Sequence, residues 1–332
     1  MNDQRSSLSA GPGAHRPPGG RDLPALRGDE IVTPAMVVLG DPVAGPLGTR
    51  VSTLDQQLAL LRRLVSGPPG PFARRTADPE GGVQVSCLGP FRFAVDGLRF
   101  DTWRSGKARS LFQYLVTHRG QAIPRDTLIS ALWPDASVSA PATSLKVAVH
   151  ALRQTLTHVL GEPASLTIVS QGSCYQLNGP ELWLDVEDFE YCYAQGRAHE
   201  AREETIEAIR CYARAAQLYR GDFLEDLLDD WPAFRREAIK DRYLFVVGRL
   251  ANAAVNVGDF QGAIVWCQQL LAKDCCREDT YRTLMLCHSR LGQRSRVRSW
   301  YDLCVRTLRD ELDCEPEPET ERAARLGMAG KL

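Results

Sequence analysis

The chain has 332 residues, 44% hydrophobic and 24% charged, with a net charge of −1, which is enough for two ordinary domains and a tail. It has no run of eighteen apolar residues, and its start, "MNDQRSSLSAGPGAHRPPGGRD", lacks the apolar stretch of a secretory signal. No membrane span and a cytoplasmic location are therefore expected.

The ten cysteines contain no C-x-x-C and no zinc-ligand spacing; the close pair is Cys275-Cys276. Free thiols acting as small hydrophobes are expected, with no metal and no cofactor. Net charge hides an asymmetry. Residues 1–82 hold nine basic and eight acidic side chains, residues 83–178 nine and five, and residues 179–332 twenty-two and twenty-eight. The middle block is the one suited to a polyanion.

Residues 1–82 form an N-terminal extension, mostly disordered by composition, with Pro, Gly and Arg in excess. Within it, "STLDQQLALLRRLV" predicts a short amphipathic helix near 52–66, with Leu54, Leu58, Leu61 and Val65 on one face. Docking onto the body of the protein and support of a dimer are both open for this helix. A Pro/Gly-rich linker, 67–82, follows.

From Val83, "VSCLGPFRFAVDGLRFDTW" alternates around Asp96-Gly97, which predicts a hairpin with a type I′ turn. Three helices are expected next. "SGKARSLFQYLVTHRG" carries Leu111, Leu115 and Val116 inward; "PRDTLISALWP" has Pro124 at its first turn; "PATSLKVAVHALRQTLTHVLG" is stopped by Gly161. "LTIVSQGSCYQL" then predicts a second hairpin around Gln171-Gly172. Sheet, three helices and hairpin make a winged helix-turn-helix over 83–178. The long connection "PDASVSAP" between its second and third helices is like that of response-regulator output domains.

Residues 179–327 read as all-α. Six or seven helices are expected near 185–198, 200–219, 232–257, 259–273, 277–291, 293–312 and 318–327. Gly258 and Gly292 stand 34 residues apart between helical periods, which is the tetratricopeptide spacing. Ala263 takes the small-residue position of one unit and Val297 that of the next, so the repeat is a divergent one. The fold class expected is mainly α: a winged helix-turn-helix followed by a tetratricopeptide-like helical-repeat domain.

The third helix of the winged domain carries the functional signal. Leu145, Val149, Leu152 and Leu156 make its core stripe; Thr143, Lys146, His150, Arg153 and Thr157 make the opposite one. Between Asp135 and Glu162 there is no carboxylate. An ordinary wet helix mixes signs, because Glu–Lys pairs stabilise it. A helix laid against DNA excludes carboxylates, which would face phosphates, and keeps hydroxyl, amide and cationic groups. Arg104, Lys107 and Arg109 cluster at the start of the first helix, and Arg125 opens the second, where backbone N–H groups also hold phosphate. Ser170, Gln171, Gly172 and Ser173 make a small polar wing tip.

No enzyme motif competes. Gly106-Lys107 has Asp101 in place of the phosphate-loop glycine and Ala108 in place of the Mg²⁺-binding hydroxyl. A helical-repeat interaction scaffold without direct DNA readout is the alternative; salt-dependent duplex binding separates the two. The acidic "EDLLDD" at 225–230 suits the helical domain to protein contacts, with dimerisation or polymerase contact favoured over ligand sensing.

"RSGKARSLFQYLVTHRGQAIPRDTLISALWP", "LKVAVHALRQTL" and "IVSQGSCYQL" resemble the DNA-binding domain of the Streptomyces antibiotic regulatory protein family. "LDVEDFEYCYAQG", "CYARAAQLYRGDFLEDLLDDWPAFRREAIKDRYL" and "CVRTLRDELDCEPEPE" resemble its bacterial transcriptional activator domain. The resemblance implies a sequence-specific activator that binds promoter repeats in double-stranded DNA and contacts RNA polymerase; the sequence leaves a homodimer open. It implies recognition by Thr143, Ser144, Lys146, His150 and Arg153, and phosphate contacts from Lys107, Arg109, Arg125 and the wing. His150 and Ala151 stand where related winged helices often place Arg, which points to a different operator.

Overall fold

A computed structural model describes residues 47–66, 81–134, 141–179 and 182–332; the side chains of residues 47–55 and of Pro141 are outside that description. The connection over 135–140 and the linker over 67–80 lie outside it as well.

After a first helix, α1 (Leu47–Val65), come three strands, β1 (Val83–Ser86), β2 (Arg92–Val95) and β3 (Leu98–Phe100). The β2–β3 turn is the expected one: Asp96 and Gly97 both have positive φ, 49° and 78°, as a type I′ turn requires. Phe93 and Phe112 meet edge to face at 5.1 Å, with Phe91, Phe100 and Trp103 around them, so the sheet is glued to the first helix of the winged domain by aromatic packing.

That helix is α2 (Gly106–Thr117), capped by the Ser105 hydroxyl, which accepts from the Ala108 N–H at 3.0 Å. Then follow β4 (Ile123–Pro124), α3 (Arg125–Leu132), α4 (Pro141–Leu160), β5 (Thr167–Gln171) and β6 (Cys174–Asn178). Two local expectations shift. Pro124 lies before α3 rather than in its first turn: it is extended (φ −58°, ψ 141°) and pairs with Cys174 at the edge of the β4-β6-β5 sheet. A strand edge tolerates a residue with no N–H to give. The second turn is centred on Gly172-Ser173, one residue later than expected, because Gln171 stays in the ladder opposite Cys174; Gly172 alone takes positive φ, 57°.

β7 (Leu182–Leu184) then returns parallel to β1, giving the first sheet the order β3-β2-β1-β7. From there the chain is helical: α5 (Asp185–Glu200), α6 (Thr205–Leu218), α7 (Ala233–Asn256), α8 (Phe260–Lys273), α9 (Glu278–Arg290), α10 (Arg294–Leu312) and α11 (Pro318–Met328). The 34-residue spacing marks a repeated device. Gly258 and Gly292 have φ of 74° and 73°. Each is followed by a residue whose N–H reaches back five positions, Asp259 to Ala254 and Gln293 to His288, as in a Schellman stop. Ala263 and Val297 are both fully buried, one turn into the helices that follow.

The two halves share a core. Asp185, wholly buried at the start of α5, accepts from the N–H groups of Cys87 at 2.7 Å and Leu88 at 3.0 Å. Burial pushes its carboxyl up to about 6, against the opposing pull of those donors. The segment between α6 and α7 extends the seam: Leu88 bridges Phe223, and the Leu224 N–H donates to the Cys87 carbonyl at 2.7 Å. Arg119 donates from Nε and one terminal nitrogen, a single edge of its guanidinium, to the two carboxylate oxygens of Glu187, and from the other terminal nitrogen to the Leu182 carbonyl at 2.7 Å. Arg235 donates to the carbonyl that ends α2, Thr117, at 2.8 Å. Of the two roles open for α1, the structure shows docking: Leu58, Leu61 and Leu64 pack partly buried on the common core, and Val65 is fully buried. Leu54 falls among the side chains outside the description.

Candidate nucleic-acid interface

α4 is amphipathic in the way its spacing requires. Leu145, Ala148, Val149, Leu152 and Leu156 are buried, while Thr143, Lys146, His150 and Arg153 are exposed. Ser144 is half-buried, and Thr157, on the edge of the stripe, is half-buried too. The exposed face has two further members that the sequence reading passed over. Val147 is 64% exposed, and Gln154 is exposed one turn beyond His150. The signal was available: 143, 147, 150 and 154 follow helical spacing as well as the cations do. An exposed valine is costly in water and useful against a thymine methyl; a glutamine amide can bond an adenine edge at two points.

The wing stands beside this helix and is tied to it. Arg153 donates to the Ile168 carbonyl at 2.9 Å from one terminal nitrogen and at 3.3 Å from Nε, and to the Ser170 hydroxyl at 2.8 Å. The Arg125 N–H donates to the Ser173 carbonyl at 2.8 Å, so the first residue of α3 touches the wing tip. Gln176 ties the other wing strand to the Gly120 carbonyl at 3.1 Å. The start of α3, the wing residues Ser170, Gln171 and Ser173, and the middle of α4 are thus brought together. Arg125 is exposed, but its guanidinium has Asp126 at 3.3 Å, so a phosphate there meets a neighbouring carboxylate.

The cluster expected at the start of α2 does not assemble. Lys107 donates to the carbonyl of Leu132 at 2.5 Å and lies 5.5 Å from the centre of the Trp133 ring. It closes the C-terminus of α3, where carbonyls lack partners and the helix dipole favours a cation. Arg109 pairs with Asp226 in the helical half and stacks over Phe91 at 5.5 Å, while Asp226 also accepts from the Phe91 N–H at 3.0 Å. An opposite charge or an open helix end within the chain already holds each of these two. Arg104 is exposed.

Among the described residues, no group of three or more His, Cys, Asp or Glu is placed to hold a metal ion, and no helix is long and apolar enough to cross a membrane.

A winged helix with a carboxylate-free third helix, followed by a helical-repeat domain, defines a DNA-binding transcriptional regulator, and comparison with known proteins agrees. Residues 102–177 match the family described as Transcriptional regulatory protein, C terminal, and residues 184–325 match the Bacterial transcriptional activator domain. The chain is 28% identical over 245 residues to the transcriptional regulatory protein MoaR1 of Mycobacterium tuberculosis, covering 73% of this chain and 78% of that one. It is 24% identical over 239 residues to the regulatory protein DnrI of Streptomyces peucetius, covering 70% and 88%. A solved structure of Mycobacterium tuberculosis EmbR, in complex with a low-affinity phosphopeptide, shares the fold with a TM-score of 0.62 at 22% identity, over 75% of this chain and 66% of that one. The two matched domains and these relatives support a DNA-binding transcriptional regulator of the Streptomyces antibiotic regulatory protein type.

Proposed function

We propose that this regulator is a non-enzymatic, cytoplasmic activator that binds repeated promoter elements through its winged domain, residues 83–178, and contacts RNA polymerase or a second copy through its helical domain, residues 179–327. The observation that carries the reading is the exposed, carboxylate-free face of α4 beside a polar wing. Thr143, Ser144, Lys146, Val147, His150 and Gln154 lie in the major groove and read base edges. Arg153 holds the wing against α4, and Ser170, Gln171 and Ser173 meet the backbone. Arg125 and Arg104 supply phosphate contacts. Two features support protein contacts on the helical half: Leu228 is 96% and Phe234 88% exposed, beside the acidic pair Asp229 and Asp230.

The experiment is duplex binding by the purified chain over a salt series, on fragments selected from random-sequence DNA. Affinity should fall steeply as salt rises from about 50 to 200 mM. Lys146→Ala should weaken the selected sequence by about 1–3 kcal/mol if it bonds a guanine edge, and should flatten the preference at that base pair. Binding that is insensitive to both salt and sequence would leave the helical-repeat scaffold as the better account.

A further inference from the structure

The helical domain holds a helix that comes from outside it. α1 lies against α6 and α7, and its end meets the first turns of α8. Two features of the receiving surface suit a helix end. The indole N–H of Trp266, itself 3% exposed, donates at 2.8 Å to the carbonyl of Val65, the last residue of α1. Such carbonyls have no partner within their own helix. A Cβ on Gly262, one turn earlier on α8, would clash first with the Asp259 carboxylate that caps α8 and would lie 3.0 Å from the same Val65 oxygen. The donor and the gap converge on one atom of α1, and the Arg62 guanidinium adds a long contact, 3.4 Å, to the Val257 carbonyl. Around that point Leu58, Leu61, Leu64 and Val65 supply the apolar face, while Arg62, Arg63 and Ser66 stay exposed.

We propose that α6, α7 and α8 form a binding site for the C-terminal end of an amphipathic helix, and that α1 is its exchangeable occupant, held in cis by its covalent connection to the same chain. Among the described residues, the contact is made by four apolar side chains, the Val65 carbonyl and the Arg62 guanidinium. Tethering raises the local concentration of such a segment to about the millimolar range, so a weak site stays filled in cis while remaining open to competition. The α4 face takes no part in the contact, so occupancy of the site and duplex affinity vary independently.

The test uses the full chain with a specific protease site placed within residues 67–80 and cut after purification. A fluorescent synthetic peptide of residues 47–66 is then added at micromolar concentration. The cut arm should exchange with the peptide at a 1:1 ratio, read as a rise in anisotropy, and a peptide carrying Leu61→Asp should bind at least tenfold more weakly. Acrylamide quenching of tryptophan emission should rise when the arm is washed away and fall when the peptide is restored. DNA affinity should stay within twofold throughout. Release of the arm with no rebinding, or an arm that never exchanges, would overturn the proposal. So would exchange of arms between differently labelled uncut chains into stable dimers, because the occupant would then act in trans.

Discussion

Arg153 separates a reading role from a positioning role. Its guanidinium spans from α4 to the carbonyl of Ile168 and the hydroxyl of Ser170, so it is already engaged within the free protein. A charge-assisted bond to a neutral acceptor is worth about 1.5–3 kcal/mol when buried. The side chain is exposed, so Arg153→Ala should cost about 1–2 kcal/mol in unfolding free energy. With the strut gone, the wing loses its fixed distance from α4, and DNA affinity should fall about tenfold, roughly 1.4 kcal/mol, for every sequence alike. Arg153→Lys should restore the charge, and with it the salt slope, but not the two-point contact or the lost stability. Urea denaturation and fluorescence anisotropy over a panel of single-base operator variants measure both quantities. A change in preference of about 1–3 kcal/mol at one base pair, with unfolding free energy unchanged, would refute the strut and return Arg153 to base reading.

Gln113, fully buried on α2, has neither side-chain nitrogen nor oxygen partnered, so Gln113→Met should raise the unfolding free energy by about 1–3 kcal/mol; a comparable loss would mean that its amide is satisfied in solution. Asp185 should give a pH signature opposite to that of a salt-bridged carboxylate. Its folded-state value, about 6, lies above the ordinary 3.8, so the native chain binds the extra proton between the two. Its contribution to stability is full below about pH 4 and is lost as pH rises through about 6, by about 3 kcal/mol in total; an Asp185→Asn chain should lack that contribution, and parallel curves would count against it. Burial pushes the Cys287 and Cys304 thiols up to about 12 and raises those of Cys87 and Cys267 too, whereas Cys275 and Cys314 are exposed. An aromatic disulfide reagent at pH 8 should therefore label Cys275 and Cys314 first, and the double serine variant should lose the fast phase.

The parts of the fold legible in the sequence are those fixed by neighbours in the chain. Asp96-Gly97 marks its turn because two adjacent residues supply the positive φ. The stripes of α4, and the stops at Gly258 and Gly292, follow from spacing within a few turns. The rest depends on partners far along the chain. Lys107 and Arg109 are indistinguishable from phosphate contacts until Leu132, 25 residues away, and Asp226, 117 residues away, fold against them. Asp226 itself belongs to the acidic run expected to serve outside partners, and one of its neighbours in space is α2. β7 is three residues long, too short for any period to show, yet it completes the first sheet. Val147 shows a different gap: an apolar residue within a polar face reads as noise until its exposure is known.

The most direct measurement places a benzophenone amino acid at position 150 on α4, and separately at position 298 on α10, in chains that still bind the selected duplex. Irradiation should join position 150 to a base within the operator and leave position 298 uncoupled to DNA. Cross-links from position 298 alone, or none from position 150 while the duplex stays bound, would show that another surface carries the DNA.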